Sequence, residues 1–204
     1  MEQHHEAMLA YVKHIFHTCG DITDPKRPFR NKLDHTLRVV KWTERIAREE
    51  GGDVDLLTTC AILHDVGYAL CREAHPAISA WICDRYLKGH GFDEAYRAAA
   101  KKIIAGHGDK ARLTVETPLD ELILIEADNL EEKGAMDILW DAMEEGAGEE
   151  PSYENACQRI TARTRKRQKN IMVTATARRF WQERTALMDH FVQCLSFELD
   201  RDGE

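Results

Sequence analysis

The chain has 204 residues, the size of one domain or of one domain with an appended piece. With 12 Gly, 5 Pro, 43% hydrophobic and 31% charged residues, it reads as a globule with a core, not as a turn-rich β-sandwich or a disordered linker. A net charge of -8 gives no global attraction to nucleic acid or anionic lipid.

Helical periodicity runs through nearly every segment, and no convincing alternating strand is found, so the expected class is all-α. A first amphipathic helix is predicted from Gln3 to Cys19, followed by a loop carrying Pro25 and Pro28. The next helix runs from Asn31 to Glu50 and is closed by Gly51-Gly52; Asp53 then caps a helix that continues to His64. Pro76 suits the first turn of a helix that stops near Gly89 to Gly91. Asp93 caps the segment leading to Ile104, and Thr117-Pro118 opens a helix through Glu126. Glu144 to Pro151 is the one hinge-like stretch, and helices are predicted beyond it over Tyr153–Met172 and Thr174–Leu199.

No stretch approaches the roughly 20 apolar residues of a membrane span, and Met1 to Gly20 lacks the basic start and apolar middle of a secretory signal. Cys19, Cys60, Cys71, Cys83, Cys157 and Cys194 are scattered without a CxxC pair, which reads as reduced thiols. The expected location is the cytoplasm.

The informative feature is polar residues where apolar ones belong. Residues three and four apart share one side of a helix. His35 heads the stripe Val39, Trp42, Ile46; Leu57, Cys60 or Ala61 and His64 form a second; Leu124, Ile125 and Asp128 a third. His75 with Ile78, Ile82 and Tyr86, and Tyr96 with Ala100, Ile103 and His107, complete the set. A single histidine on an apolar face is ordinarily a core residue bonded to a carbonyl. Five polar stripe ends, with Asp65 beside one of them, are harder to place that way, because buried carboxylates need cationic or donor partners. If they converge, a divalent cation is the economical partner, and mixed imidazole and carboxylate donors suit zinc, iron, manganese, cobalt or nickel better than calcium.

The order His35, His64-Asp65, Asp128 resembles the H…HD…D signature of the HD superfamily of metal-dependent phosphohydrolases. Ala61-Ile62-Leu63-His64-Asp65-Val66-Gly67 is similar to that family's HD helix end, and Glu126-Ala127-Asp128-Asn129-Leu130 to its closing aspartate segment. His75 with Ser79, and Ile103-Ile104-Ala105-Gly106-His107, resemble the extra elements of the small stand-alone bacterial members. The likeness covers roughly Lys32 to Trp140. It implies a helical domain over residues 31–143, with residues 1–30 as an N-terminal helix and loop packed on it and residues 152–204 as C-terminal helices of the same globule.

By this resemblance His35, His64, Asp65 and Asp128 hold a metal, and His75 and His107 are candidates for a second metal or for phosphate contact. One or two divalent ions are implied, Mn, Fe, Zn, Co or Ni, with Mg also admitted. Asp65 and Glu73 are the candidate catalytic carboxylates. Arg38, one turn after His35, is read either as a phosphate fork or as an ordinary ion pair; Lys110 and Lys133 are weaker substrate-binding candidates that also fit solvated surface. The basic run Arg163 to Lys169 follows an acidic stretch and fits an ion-paired face. The four tryptophans, Trp42, Trp81, Trp140 and Trp181, are expected in the core.

The implied activity is hydrolysis of a nucleotide or other small phosphoester, as a phosphomonoesterase or phosphodiesterase. No stable nucleic-acid complex and no membrane association are expected, and a homodimer is compatible with the reading. A silent metal-binding sensor and a di-iron oxygenase of the same helical frame are the alternatives. Several familiar activities lack their marks here: Val66-Gly67-Tyr68-Ala69 follows the HD pair where guanosine tetraphosphate hydrolases carry Glu-Asp, the GYP element of cyclic di-GMP phosphodiesterases is missing, and Tyr68 breaks the triphosphohydrolase pattern HD-x-G-H.

Overall fold

The computed structural model describes residues 2–19, 31–167 and 171–200. The loop with Pro25 and Pro28 and the end of the basic run, Gln168-Lys169, lie outside them. The described residues form nine α-helices and two short 3-10 turns, with no strand among them. The chain divides into two compact units, Met1–Glu131 and Glu132–Glu204.

In the first unit, α1 (Glu2–Cys19) buries Met8, Val12 and Phe16, the four-residue spacing that keeps side chains on one helix face. Helix α2 (Lys32–Glu50) starts where the Asn31 side chain accepts from the Asp34 amide at 2.7 Å. It ends at Gly51, whose φ of 82° carries no Cβ penalty and whose N–H reaches the Ala47 carbonyl. Asp53 caps α3 (Val54–Leu63) by accepting from the Leu56 amide. Caps of this kind stabilise a helix by about 1 kcal/mol each. Every residue from Leu56 to Leu63 is buried, so α3 is covered all round and serves as the axis of the unit. Helices α1 and α2, together with α4 (His75–Gly89), α5 (Glu94–Gly106) and α6 (Leu119–Glu131), pack around it.

Between α3 and α4 the 3-10 turn Val66–Ala69 is pressed onto the start of α4. Gly67 makes this approach possible: a Cβ there would lie 2.6 Å from the His75 carbonyl and 2.8 Å from the Ser79 amide. The Gly67 N–H donates to Ser79 Oγ at 2.9 Å. A second 3-10 turn, Lys110–Arg112, follows α5, and Arg112 pairs with the buried Glu121 of α6.

The second unit contains α7 (Ala135–Gly146), α8 (Tyr153–Arg167) and α9 (Ala175–Glu198), with Ile138, Ile160 and Met188 buried together and Val192 packed on them. The sequence reading places no helix over residues 135–146; the structure adds α7 there. The described part of α8 runs to Arg167, and Met172, the predicted end, is not helical. Residues 171–173 are non-helical because Thr174, in extended backbone, caps α9 by accepting from the Ala177 amide. Within the basic run, Arg163 is ion-paired, its Nη1 lying 2.7 Å from the buried Asp141.

The tryptophans divide. Trp140 and Trp181 are buried and Trp42 is partly buried, but Trp81 is 55% exposed, with the Arg85 guanidinium over its ring. Helix α4 buries Ser79, Ile82, Cys83 and Tyr86, and Trp81 falls off that face.

Candidate metal centre

Asp65 and five other predicted residues form one cluster. The first turn of α2 delivers His35, the C-terminal end of α3 delivers His64 and Asp65, and the last turn of α6 delivers Asp128. The start of α4 supplies His75, fixed by the Gly67–Ser79 bond behind it, and the end of α5 supplies His107. Asp65 Oδ2 lies 3.2 Å from His35 Nε2 and 3.4 Å from His64 Nε2. Its other oxygen lies 3.3 Å from His75 Nε2 and 3.4 Å from His107 Nε2. Asp128 Oδ1 completes the first group at 3.2 Å from His35 Nε2. Donor atoms of His35, His64 and Asp128, and those of His64, Asp65 and His107, fall within 4.8 Å of one another.

The reverse side of each ring is committed. Nδ1 of His64 donates to the Ala61 carbonyl at 2.8 Å, that of His75 to Arg72 at 2.7 Å and that of His107 to Ile104 at 2.6 Å. His35 Nδ1 donates to Glu131 Oε2 at 2.7 Å, and Glu131 also takes Arg38 Nε. These acceptors place the proton on Nδ1, so all four Nε2 atoms turn toward Asp65. His35 Nε2 and His64 Nε2 are only 3.3 Å apart, an unfavourable approach of two lone pairs unless a proton or a cation lies between them. Imidazoles oriented from behind, with carboxylates interleaved, are the donor chemistry that divalent transition ions favour. The residues present therefore fit such an ion.

The charged groups of the cluster act on one another at close range. Burial works against ionisation of Asp65, but His64 and Lys32, with hydrogen bonds from His107 and His35, hold its carboxyl well below the usual range. Asp128 and Glu131 are likewise held low, burial being outweighed chiefly by His35. Burial disfavours the charged form of His35, yet Asp128, Asp65 and Glu131 together raise it well above an ordinary imidazole. His107 is raised by Asp65 against burial, whereas burial keeps His75 low.

Two participants escape the sequence reading. Lys32 Nζ sits 2.6 Å from Asp65 Oδ2, and Glu131 anchors His35. Both carry a signal that could have found them: Lys32 is three residues before His35 on α2, and Glu131 three after Asp128 on α6, each on the face of its neighbour. Glu73 and Lys110 do not join the cluster. Glu73 is exposed, with the Cys71 thiol on its carboxylate, and Lys110 is exposed in the second 3-10 turn. Lys133 belongs to the second unit and is not solvated surface: it is 1% exposed, with its ammonium 5.0 Å from the centre of the Trp181 ring. No described helix is long and apolar enough to cross a membrane.

The family model described as HD domain matches residues 33–133. Among curated proteins, Ribonuclease Y of Campylobacter fetus is 37% identical over 90 residues, and that of Aliarcobacter butzleri 36% over 91. Each match takes in 43% of this chain but only 16% of the ribonuclease. Among solved structures, an HD-superfamily hydrolase from Bacillus thuringiensis superposes with a TM-score of 0.75 at 21% identity, covering 98% of both chains. Bacillus subtilis YpgQ in complex with ADP gives 0.66 at 19% identity, again over 98% of both. These likenesses show a shared fold.

Proposed function

This chain belongs to the HD-domain superfamily through residues 33–133, and on that premise we propose that it is a metal-dependent phosphohydrolase acting on a nucleotide or another small phosphoester. One observation carries the reading: each oxygen of Asp65 faces its own pair of imidazole Nε2 atoms at 3.2–3.4 Å. His35, His64, Asp65 and Asp128 would hold one divalent ion, and His75 and His107 with the second Asp65 oxygen another. Bound there, such an ion supplies Lewis acidity and a water acidic enough to ionise near neutral pH.

The protein's own part is orientation and charge. Glu131 and the three carbonyls hold the imidazoles in place. His35, His64 and His107 form the buried floor, while Asp128 is 28% exposed and His75 16%, so the cluster opens to solvent on their side. Arg38, 34% exposed and tied through Nε to Glu131, keeps its terminal N–H groups for a phosphate oxygen. The ADP bound by YpgQ supports a nucleotide as the first substrate class to try.

The test is elemental analysis combined with turnover. Protein stripped and reloaded with Mn, Co, Ni or Mg is assayed against p-nitrophenyl phosphate, its bis-ester, nucleoside mono-, di- and triphosphates and a short RNA. Metal-dependent phosphate release that chelation removes is expected. Bound metal with silence across the panel, or iron-dependent oxygen consumption, would overturn the reading.

A further inference from the structure

The cluster has a dry side and a wet side, and the wet side carries a cation. A ligand entering from solvent meets Asp128, His75 and Lys32, whose side chains are 28%, 16% and 18% exposed, against 0–2% for His35, His64 and His107. Two of these three offer nothing attractive to an anion: Asp128 repels it, and His75 turns its Nε2 toward Asp65 at 3.3 Å. Lys32 is different. Its ammonium lies 2.6 Å from Asp65 Oδ2 and 3.7 Å above the centre of the Tyr68 ring. Tyr68 in turn packs on the His75 ring with centroids 4.0 Å apart. The four-carbon stem that would otherwise swing freely is thus directed by a carboxylate on one side and an aromatic face on the other.

We infer that Lys32, braced on the face of Tyr68, grips a phosphate oxygen of the substrate at the mouth of the site, and that Tyr68 is a positioning residue acting through it. The inference rests on the phosphohydrolase reading above and adds to Arg38 a second residue that receives the anionic group. An ammonium has three rotating donors, so it can hold Asp65 and an incoming oxygen together. The need for it is electrostatic. The protein carries a net charge of -8, and Asp65, Asp128 and Glu131 converge on the site, so a cation beside the bound ion adds to the local attraction for an anionic substrate. Arg38 Nε serves Glu131 behind His35, whereas Lys32 touches the carboxylate at the centre.

The experiment uses the full chain loaded with Mn and measures inorganic phosphate binding by calorimetry, with metal content determined in the same samples. Lys32→Met should keep its metal and lose phosphate affinity at least about tenfold. Lys32→Arg should recover part of that loss and guards against a merely misfolded variant. Tyr68→Leu should weaken phosphate as Lys32→Met does, while Tyr68→Phe, which keeps the ring face, should bind within about threefold of wild type. If the protein proves active, the Lys32 loss should fall mainly on KM. Unchanged phosphate affinity in Lys32→Met with metal retained would overturn the role of Lys32 and leave the phosphohydrolase reading standing. Metal-loaded wild type that binds no phosphate would overturn both. Loss of metal in Lys32→Met would show that the residue merely supports Asp65.

Discussion

Asp65 and Glu131 do different work at the same centre, and their variants should separate it. Asp65 is the group every imidazole faces, so Asp65→Ala should abolish both metal retention and turnover; unchanged metal stoichiometry by elemental analysis would contradict the cage. Glu131 acts from behind, through His35 Nδ1 and Arg38. Partners of that kind tune a ligand without replacing it, and Glu131→Gln should lower metal affinity about 10–100-fold in a chelator competition while saturation remains attainable. The two outcomes also mark what could be read from sequence. His35, His64, His75, His107 and Asp128 stand out because imidazoles and carboxylates ending apolar stripes are anomalous, and Asp65 because it adjoins one of them. Lys32 and Glu131 do not, because a charged residue in the first or last turn of a helix is normally solvated. Their role depends on which helix ends meet, and that is a tertiary fact.

At the scale of elements, caps were the most legible signals. Asp53 and Asp93, the predicted caps of α3 and α5, accept from backbone amides three residues on, and Asn31 and Thr174, read only as helix starts, do the same. The Thr117 hydroxyl, also expected to cap, donates instead to the Arg112 carbonyl. Less legible was α7, whose N-cap position is Gly134 at φ 93° and offers no side-chain bond to announce a start. The turn after Asp65 depends instead on close approach of backbone to backbone. Gly67→Ala should destabilise by about 1–3 kcal/mol, because its Cβ would lie within 3 Å of main-chain atoms that start α4 and cannot swing aside. A Cβ at Gly89, the last residue of the same helix, meets nothing within 4 Å, so Gly89→Ala should be neutral or stabilise by up to about 1 kcal/mol. Urea denaturation of both variants decides this. Equal effects would mean that the turn is looser than its geometry, and that His75 is not fixed by the Gly67–Ser79 bond.

For the whole molecule, the decisive fact is that the six candidate ligands, far apart in sequence, come from a single unit. His35 and Asp128 are the outermost, and the unit that contains them closes at Glu131. The matched HD segment, residues 33–133, ends within two residues of that boundary. An ion held by these side chains ties α2, the α3 end, α4, α5 and α6 to one another, and it stabilises whichever part of the chain must open to release it. For a ligand at a thousand times its dissociation constant that stabilisation is about 4 kcal/mol. Hydrogen exchange followed peptide by peptide should therefore show slower exchange on metal addition in α2, α3 and α6, and little change in α8 and α9. Those two helices supply none of the six candidate ligands, and their own core is built on Ile138, Ile160 and Met188. Equal protection across all five helices would mean that the two units open as one. Protection confined to α8 and α9 would place the ion elsewhere and remove the physical basis of the site.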